Sequence, residues 1–181
     1  MAAGSSMGGQ EALMFGIRYP EQAQTIVAMD GPVDMARRFW DLPLVRQQAL
    51  FGECGGAPAD MPACYAERSP LTYAATLAAS SQRLILYWST NDEISPQEQM
   101  PTLARAIHTA NPARPFLIRV GNWGHGGAWS PGGGNNEWLA DAGLAGDGVR
   151  AARPRARRHV QYAERPRHAP PFRIRAAIRT S

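Results

Sequence analysis

Three short apolar runs punctuate the chain: TIVAMD (25–30), RLILYWS (83–89) and PFLIRVG (115–121). Each is bounded by glycine, proline or a polar cluster, the signature of a buried strand. Between them the apolar period lengthens. In GGQEALMFGIRYP, Leu13, Met14 and Ile17 fall at three- and four-residue spacing, which predicts a helix that begins directly behind Ser6 and stops at Tyr19-Pro20. The stretch from Val33 to Gln82 is less regular, with helical pieces in DMARRFWDL and LTYAATLAAS around the Gly/Pro-rich excursion FGECGGAPADMPACYAE. It reads as a crossover with an inserted loop. In SPQE, Ser95 is placed as an N-cap, Pro96 at the first helical position and Glu98 three residues on. Pro101 argues that the regular helix runs from there to about Ala110, with Leu103, Ala106, Ile107 and Ala110 as its buried side. The third run leads into the glycine-rich NWGHGGAWSPGGG and a short apolar piece, EWLADAGL. Strands alternating with helices predict an α/β fold of βαβ units around a parallel sheet buried on both faces.

At 181 residues the chain suffices for one domain with a sizeable core, and no apolar run approaches the roughly 20 residues of a membrane-spanning helix. Charge alters that picture at one end. Every one of the 19 basic residues is arginine, and ten of them lie between Arg150 and Ser181 against the single acid Glu164. That tail carries a net +9, which leaves −5 for residues 1–149 of a chain whose total is +4. A segment built from Arg, Ala and Pro buries little apolar surface and reads as disordered, so residues 147–181 are separated from a body spanning 1–146. Three readings of the tail stand: a solvated end, a basic arm for nucleic acid or acidic partners, or the product of a slipped GC-rich reading frame. Cys54 and Cys64, ten residues apart, suit either a short disulfide-closed loop or two unrelated thiols. Pairing would imply export, with the export signal upstream of this sequence.

The candidate chemistry begins at Gly4-Ser5-Ser6-Met7-Gly8, a GxSxG pattern feeding directly into a helix. A nucleophile elbow requires that arrangement: the glycines let neighbouring backbone pass closely, and the serine sits on a sharp turn with its hydroxyl exposed. The Met7 N–H at the helix start then points at a developing oxyanion. The structural alternative is a serine that only caps the helix. A serine nucleophile needs a base and a group to orient it. Asp92 follows the second apolar run and His125 follows the third, giving the order Ser6, Asp92, His125 with separations of 86 and 33 residues. Asp30, also at a strand end, is the competing acid, and Glu93 is a weaker one. His108 reads as an ordinary helix residue, and His159 and His168 belong to the basic tail. No His/Cys/Asp cluster has metal-ligand spacing, and GSSMGG lacks both GxGxxG and the Walker lysine, so neither a metal nor a nucleotide cofactor is implied.

GSSMGG, SPLTYAATLAASSQRLILYWSTNDEISP and GNWGHGG together resemble the C-terminal half of an α/β-hydrolase, most like prolyl-oligopeptidase-type peptidases and esterases. The resemblance covers about residues 1 to 146. It implies Ser6 as nucleophile, Asp92 as orienting acid, His125 as general base, Met7 N–H as one oxyanion donor, and an ester or peptide as substrate. In that fold the elbow follows the fifth strand, and a second oxyanion N–H comes from the loop after the third. Only MAAG precedes the motif here, so the expectation is a partial sheet of about three strands plus the stub of the central one. By the same resemblance the earlier strands and the second donor are missing, and the rate is reduced accordingly. A non-catalytic protein binding nucleic acid or acidic partners through its arginine tail is the alternative function.

Overall fold

A computed structural model of the chain describes residues 1–95, 98–128, 141–142 and 160–161. Its centre is a sheet whose spatial order follows the chain: β1 (Ala2–Ser5), β2 (Thr25–Met29), β3 (Arg83–Ser89), β4 (Leu117–Gly121) and β5 (Val160–Gln161). The first four strands are parallel. Alternation along each strand sends side chains to opposite faces. Ile26, Ala28, Leu84, Leu86 and Ile118 join one core with Leu13, Leu77, Leu103 and Ile107, contributed by α1 (Met7–Arg18), α5 (Ala74–Ala79) and α6 (Gln99–Ala110). Val27, Met29, Ile85 and Tyr87 build the second core with Ala128, packed against Ala3, Leu117, Trp123 and Ala142. The continuous apolar runs of β2 and β3 thus reflect burial on both faces. β4 is different: Ile118 is buried and Val120 exposed, so this strand is half-solvated.

Helix α1 lies tight on β2. A Cβ on Gly16 would collide with Cδ1 of Ile26, so glycine sets the helix-to-sheet distance there. Helix α6 corrects the expected start. It begins at Gln99, with Glu98 at the cap position and no side-chain cap, and Ser95 instead donates its N–H to Asp92 Oδ1. Pro101 sits in the first turn, where a helix has no intrahelical use for the missing N–H. Leu103 and Ile107 are buried, but Ala110 is exposed and Ala104 and Met100 take the remaining inner positions.

The crossover from β2 to β3 is more helical than its composition implies. Besides α2 (Met35–Asp41) it contains α3 (Leu44–Cys54), α4 (Pro62–Glu67) and a 3₁₀ turn (Pro70–Tyr73) ahead of α5. Its core is Met35, Phe39, Leu50, Cys54 and Tyr65. Cys54 and Cys64 are paired, tying the end of α3 to α4. Gly55, at φ 75°, ends α3 in the left-handed region that glycine enters without cost. Closing a loop of this length contributes about 2 to 3 kcal/mol through the unfolded chain. Reduction should therefore shift the denaturant midpoint downward, and an unchanged midpoint would show that packing alone holds the two helices.

Among the described residues no helix is long and apolar enough to cross a membrane. Nearly all of the arginine-rich segment lies outside the described residues, His159 and His168 included. Val160–Gln161 is the part that falls inside them. It adds β5 antiparallel to β4, pairing Leu117 with Gln161 and Ile118 with Val160, which the composition did not anticipate.

Candidate active site

Each parallel strand delivers one polar residue to the same edge of the sheet, the carboxyl end where such folds place their ligands. Ser6 follows β1, Asp30 follows β2, Asp92 lies three residues beyond β3, and His125 four beyond β4. Ser6 adopts φ 58° and ψ −128°, a conformation that β-strand and helix both exclude. The surroundings hold it there. Its N–H donates to the Met29 carbonyl at 2.8 Å, and its carbonyl accepts from the N–H groups of Gly9 and Gln10. A Cβ on Gly4 would collide with the carbonyl oxygen of Gly8, so strand and helix touch backbone to backbone. At Gly8 itself a Cβ would meet nothing within 4 Å. The second close approach belongs to Gly9, whose Cβ would stand 2.9 Å from the Met29 carbonyl oxygen, so the crowding expected at Gly8 falls one residue later.

The Ser6 hydroxyl lies 2.8 Å from Nε2 of His125, and Nδ1 of that ring lies 2.9 Å from Asp92 Oδ2 and 3.0 Å from Oδ1. With Nδ1–H donating to the carboxylate, Nε2 carries the lone pair that accepts the serine proton. Asp92 is itself fixed. The N–H groups of Ile94 and Ser95 both donate to its Oδ1 at 2.8 Å. Its side chain is 2% exposed and that of His125 18%, so solvent reaches the imidazole more than the carboxylate. Met7 opens α1, and the N–H groups of a first helical turn have no intrahelical partner.

The competing acid is in the site but not on the histidine. Asp30 is 2% exposed and sits at φ 48°. Its Oδ2 accepts from the Trp123 indole N–H at 2.9 Å, and its Oδ1 is buried with no hydrogen-bond partner among the described residues. Burial raises its carboxyl from the ordinary 3.8 to about 6, opposed by the Trp123 hydrogen bond; Asp92 raises it further and His125 lowers it. Because the folded value exceeds the unfolded one, Asp30 favours folding below about pH 4 and loses that contribution as pH rises through 6. Glu93 is exposed, outside the cluster, and His108 lies near the end of α6.

The residues that hold the two loops carry little mark in the sequence. Ser89, at the end of β3, accepts the N–H of Trp123 at 2.9 Å and of Asn91 at 3.0 Å, and donates to the Trp123 carbonyl. Arg38, on α2, donates to the Ile94 carbonyl at 2.6 Å, behind the Asp92 turn. Gln99 accepts the N–H groups of Val33 and Asp34 at 2.9 Å each, locking α6 to the turn after β2. Apart from the Asn91 contact, these pairs join residues 34 to 66 positions apart in the chain. Only the strand-end position of Ser89 was visible as a signal in the sequence.

No family model and no curated relative matches the sequence. Solved structures do. A puromycin-hydrolyzing peptidase of Mycobacterium tuberculosis is similar at 26% identity and a TM-score of 0.58, over 68% of this chain and 18% of that one. An acylaminoacyl peptidase of Pyrococcus horikoshii is similar at 16% identity and 0.57, over 70% and 20%. The chain thus spans about a fifth of the length of the solved proteins it resembles. The likeness establishes the architecture: an α/β fold with a four-stranded parallel sheet and flanking helices, consistent with part of an α/β-hydrolase.

Proposed function

We propose that the chain carries the catalytic set of a serine hydrolase of the α/β-hydrolase superfamily, of prolyl-oligopeptidase type, acting on a small ester or peptide. The observation that carries this reading is the 2.8 Å approach of His125 Nε2 to a serine hydroxyl held on a strained strand-to-helix turn. The Ser6 oxygen attacks the substrate carbonyl while His125 takes its proton. Asp92, accepting from Nδ1–H, holds the ring in the productive tautomer and stabilises the imidazolium. The Met7 N–H donates to the tetrahedral oxyanion. His125 returns the proton to the departing alcohol or amine, leaving an acyl-Ser6 ester. Water attacks that ester in turn, giving its proton to His125, which passes it to the departing Ser6 oxygen as the acid is released. The Cys54–Cys64 disulfide supports an oxidising compartment as the place of action.

The test is covalent. A fluorophosphonate probe should add one phosphonyl mass to the chain, mapping by digestion to the peptide that contains Ser6. Absence of labelling, or labelling on another serine, would remove the assignment.

A further inference from the structure

Asp30 and Trp123 have no part in the proton transfers above, yet they are built into the same edge of the sheet. The indole of Trp123 turns back over the end of β4, where a Cβ on Gly121 would overlap its ring and one on Gly127 would lie 2.8 Å from its Cβ. Any larger residue at Gly121 would occupy the space the ring fills. Trp123 packs against the core cluster to which Val27, Met29 and Tyr87 belong, its ring centroid 6.5 Å from that of Tyr87; its backbone is clamped on both sides by Ser89, and its indole N–H ends on Asp30. His125 stands two residues further along this loop. The position of the histidine is therefore fixed through Trp123 from the ends of β2 and β3, independently of Asp92.

We infer that Asp30 is a positioning residue for the proposed hydrolytic site: it tethers the His125 loop through the Trp123 indole and places a second carboxylate where it favours positive charge on the imidazole. The inference rests on the reading of Ser6 and His125 given above. The groups that face Asp30 define the balance. From β3 and its loop come the Ser89 backbone and the Asp92 carboxylate, and from the loop after β4 come the Trp123 indole and the His125 ring. Asp92 opposes ionisation of Asp30 and His125 promotes it. By reciprocity a charged Asp30 stabilises the imidazolium that forms as Ser6 is deprotonated. With its carboxyl titrating at about 6, this aid is absent in acid and present at neutral pH.

The test compares wild type, Asp30→Asn and Trp123→Phe from pH 5 to 8, by fluorophosphonate labelling rate and by the indole N–H resonances in nitrogen-15 NMR. Asparagine enters the left-handed region readily and keeps an oxygen for the indole, so only the charge is removed. Wild type and Asp30→Asn should label within about 2-fold of each other at pH 5 and differ by about 10-fold at pH 8. Trp123→Phe, which breaks the tether, should be slower by a similar factor at every pH. The resonance lost in Trp123→Phe should titrate near pH 6 in wild type and stay constant in Asp30→Asn. A rate ratio flat across the range, or an indole resonance that does not titrate, would overturn the inference. If wild type fails to label while the indole still follows Asp30, the tether is supported and the hydrolase reading is what fails.

Discussion

Replacing Ser6 with alanine should abolish fluorophosphonate labelling and reduce hydrolysis of an activated ester by a factor on the order of 10⁴ to 10⁶. The reason is that, among the described residues, the Ser6 hydroxyl is the side-chain group within 2.8 Å of His125 Nε2, and a water taking its place would act without the positioning that the strained turn supplies. The fold should survive. The Ser6 contacts that join β1, α1 and β2 are made by its backbone N–H and carbonyl, and alanine keeps both. Circular dichroism and the denaturant midpoint should therefore change little while turnover disappears. A Ser6→Ala chain retaining more than a tenth of the activity would show that the hydrolysis arises elsewhere.

Asp92→Asn should cost a factor on the order of 10⁴ in kcat with little change in KM. The amide oxygen of the substituted side chain can still receive the N–H groups of Ile94 and Ser95, so the turn after β3 keeps its shape. What changes is the face toward His125. If the amide NH₂ turns to Nδ1, the ring proton moves to Nε2, and the atom that must accept from Ser6 becomes a donor. Asp92→Ala should be worse for stability as well, because it leaves the N–H groups of Ile94 and Ser95, the second of them buried, without their acceptor. Equal kcat in wild type and Asp92→Asn would assign the orientation of His125 to Trp123 and Asp30 alone.

What could be read along the chain was whatever neighbouring residues decide. The runs TIVAM and RLILYWS became β2 and β3 at those positions because burial on both faces leaves an unbroken apolar stretch. The order Ser6, Asp92, His125 was visible because each residue follows a strand, and parallel strands send their ends to one edge. Helix α3 was hidden for the opposite reason. Leu44 and Val45 at its start are 80% and 75% exposed, so its apolar residues do not mark an inner face. Helix α6 starts at Gln99 with Glu98 at the cap position, while Ser95 belongs to the turn that closes on Asp92, a contact that spacing along the chain does not show.

The sequence by itself determined the alternation of strand and helix, the sharp turn at Ser6 and the identity of the groups proposed to exchange a proton. These depend on side-chain size, backbone freedom and apolar periodicity over a few residues, all of which are local. Only the tertiary structure decided which carboxylate meets His125, that Asp30 receives the indole of Trp123 93 positions away, and that Ser89 clamps the loop between them. Asp30 and Asp92 both follow strands, so the sequence offered either as the acid, with Asp92 preferred. The separation of their roles follows from where β4 sets down its loop: the ring of His125 faces one acid, and the ring of Trp123, admitted by the missing side chain of Gly121, faces the other.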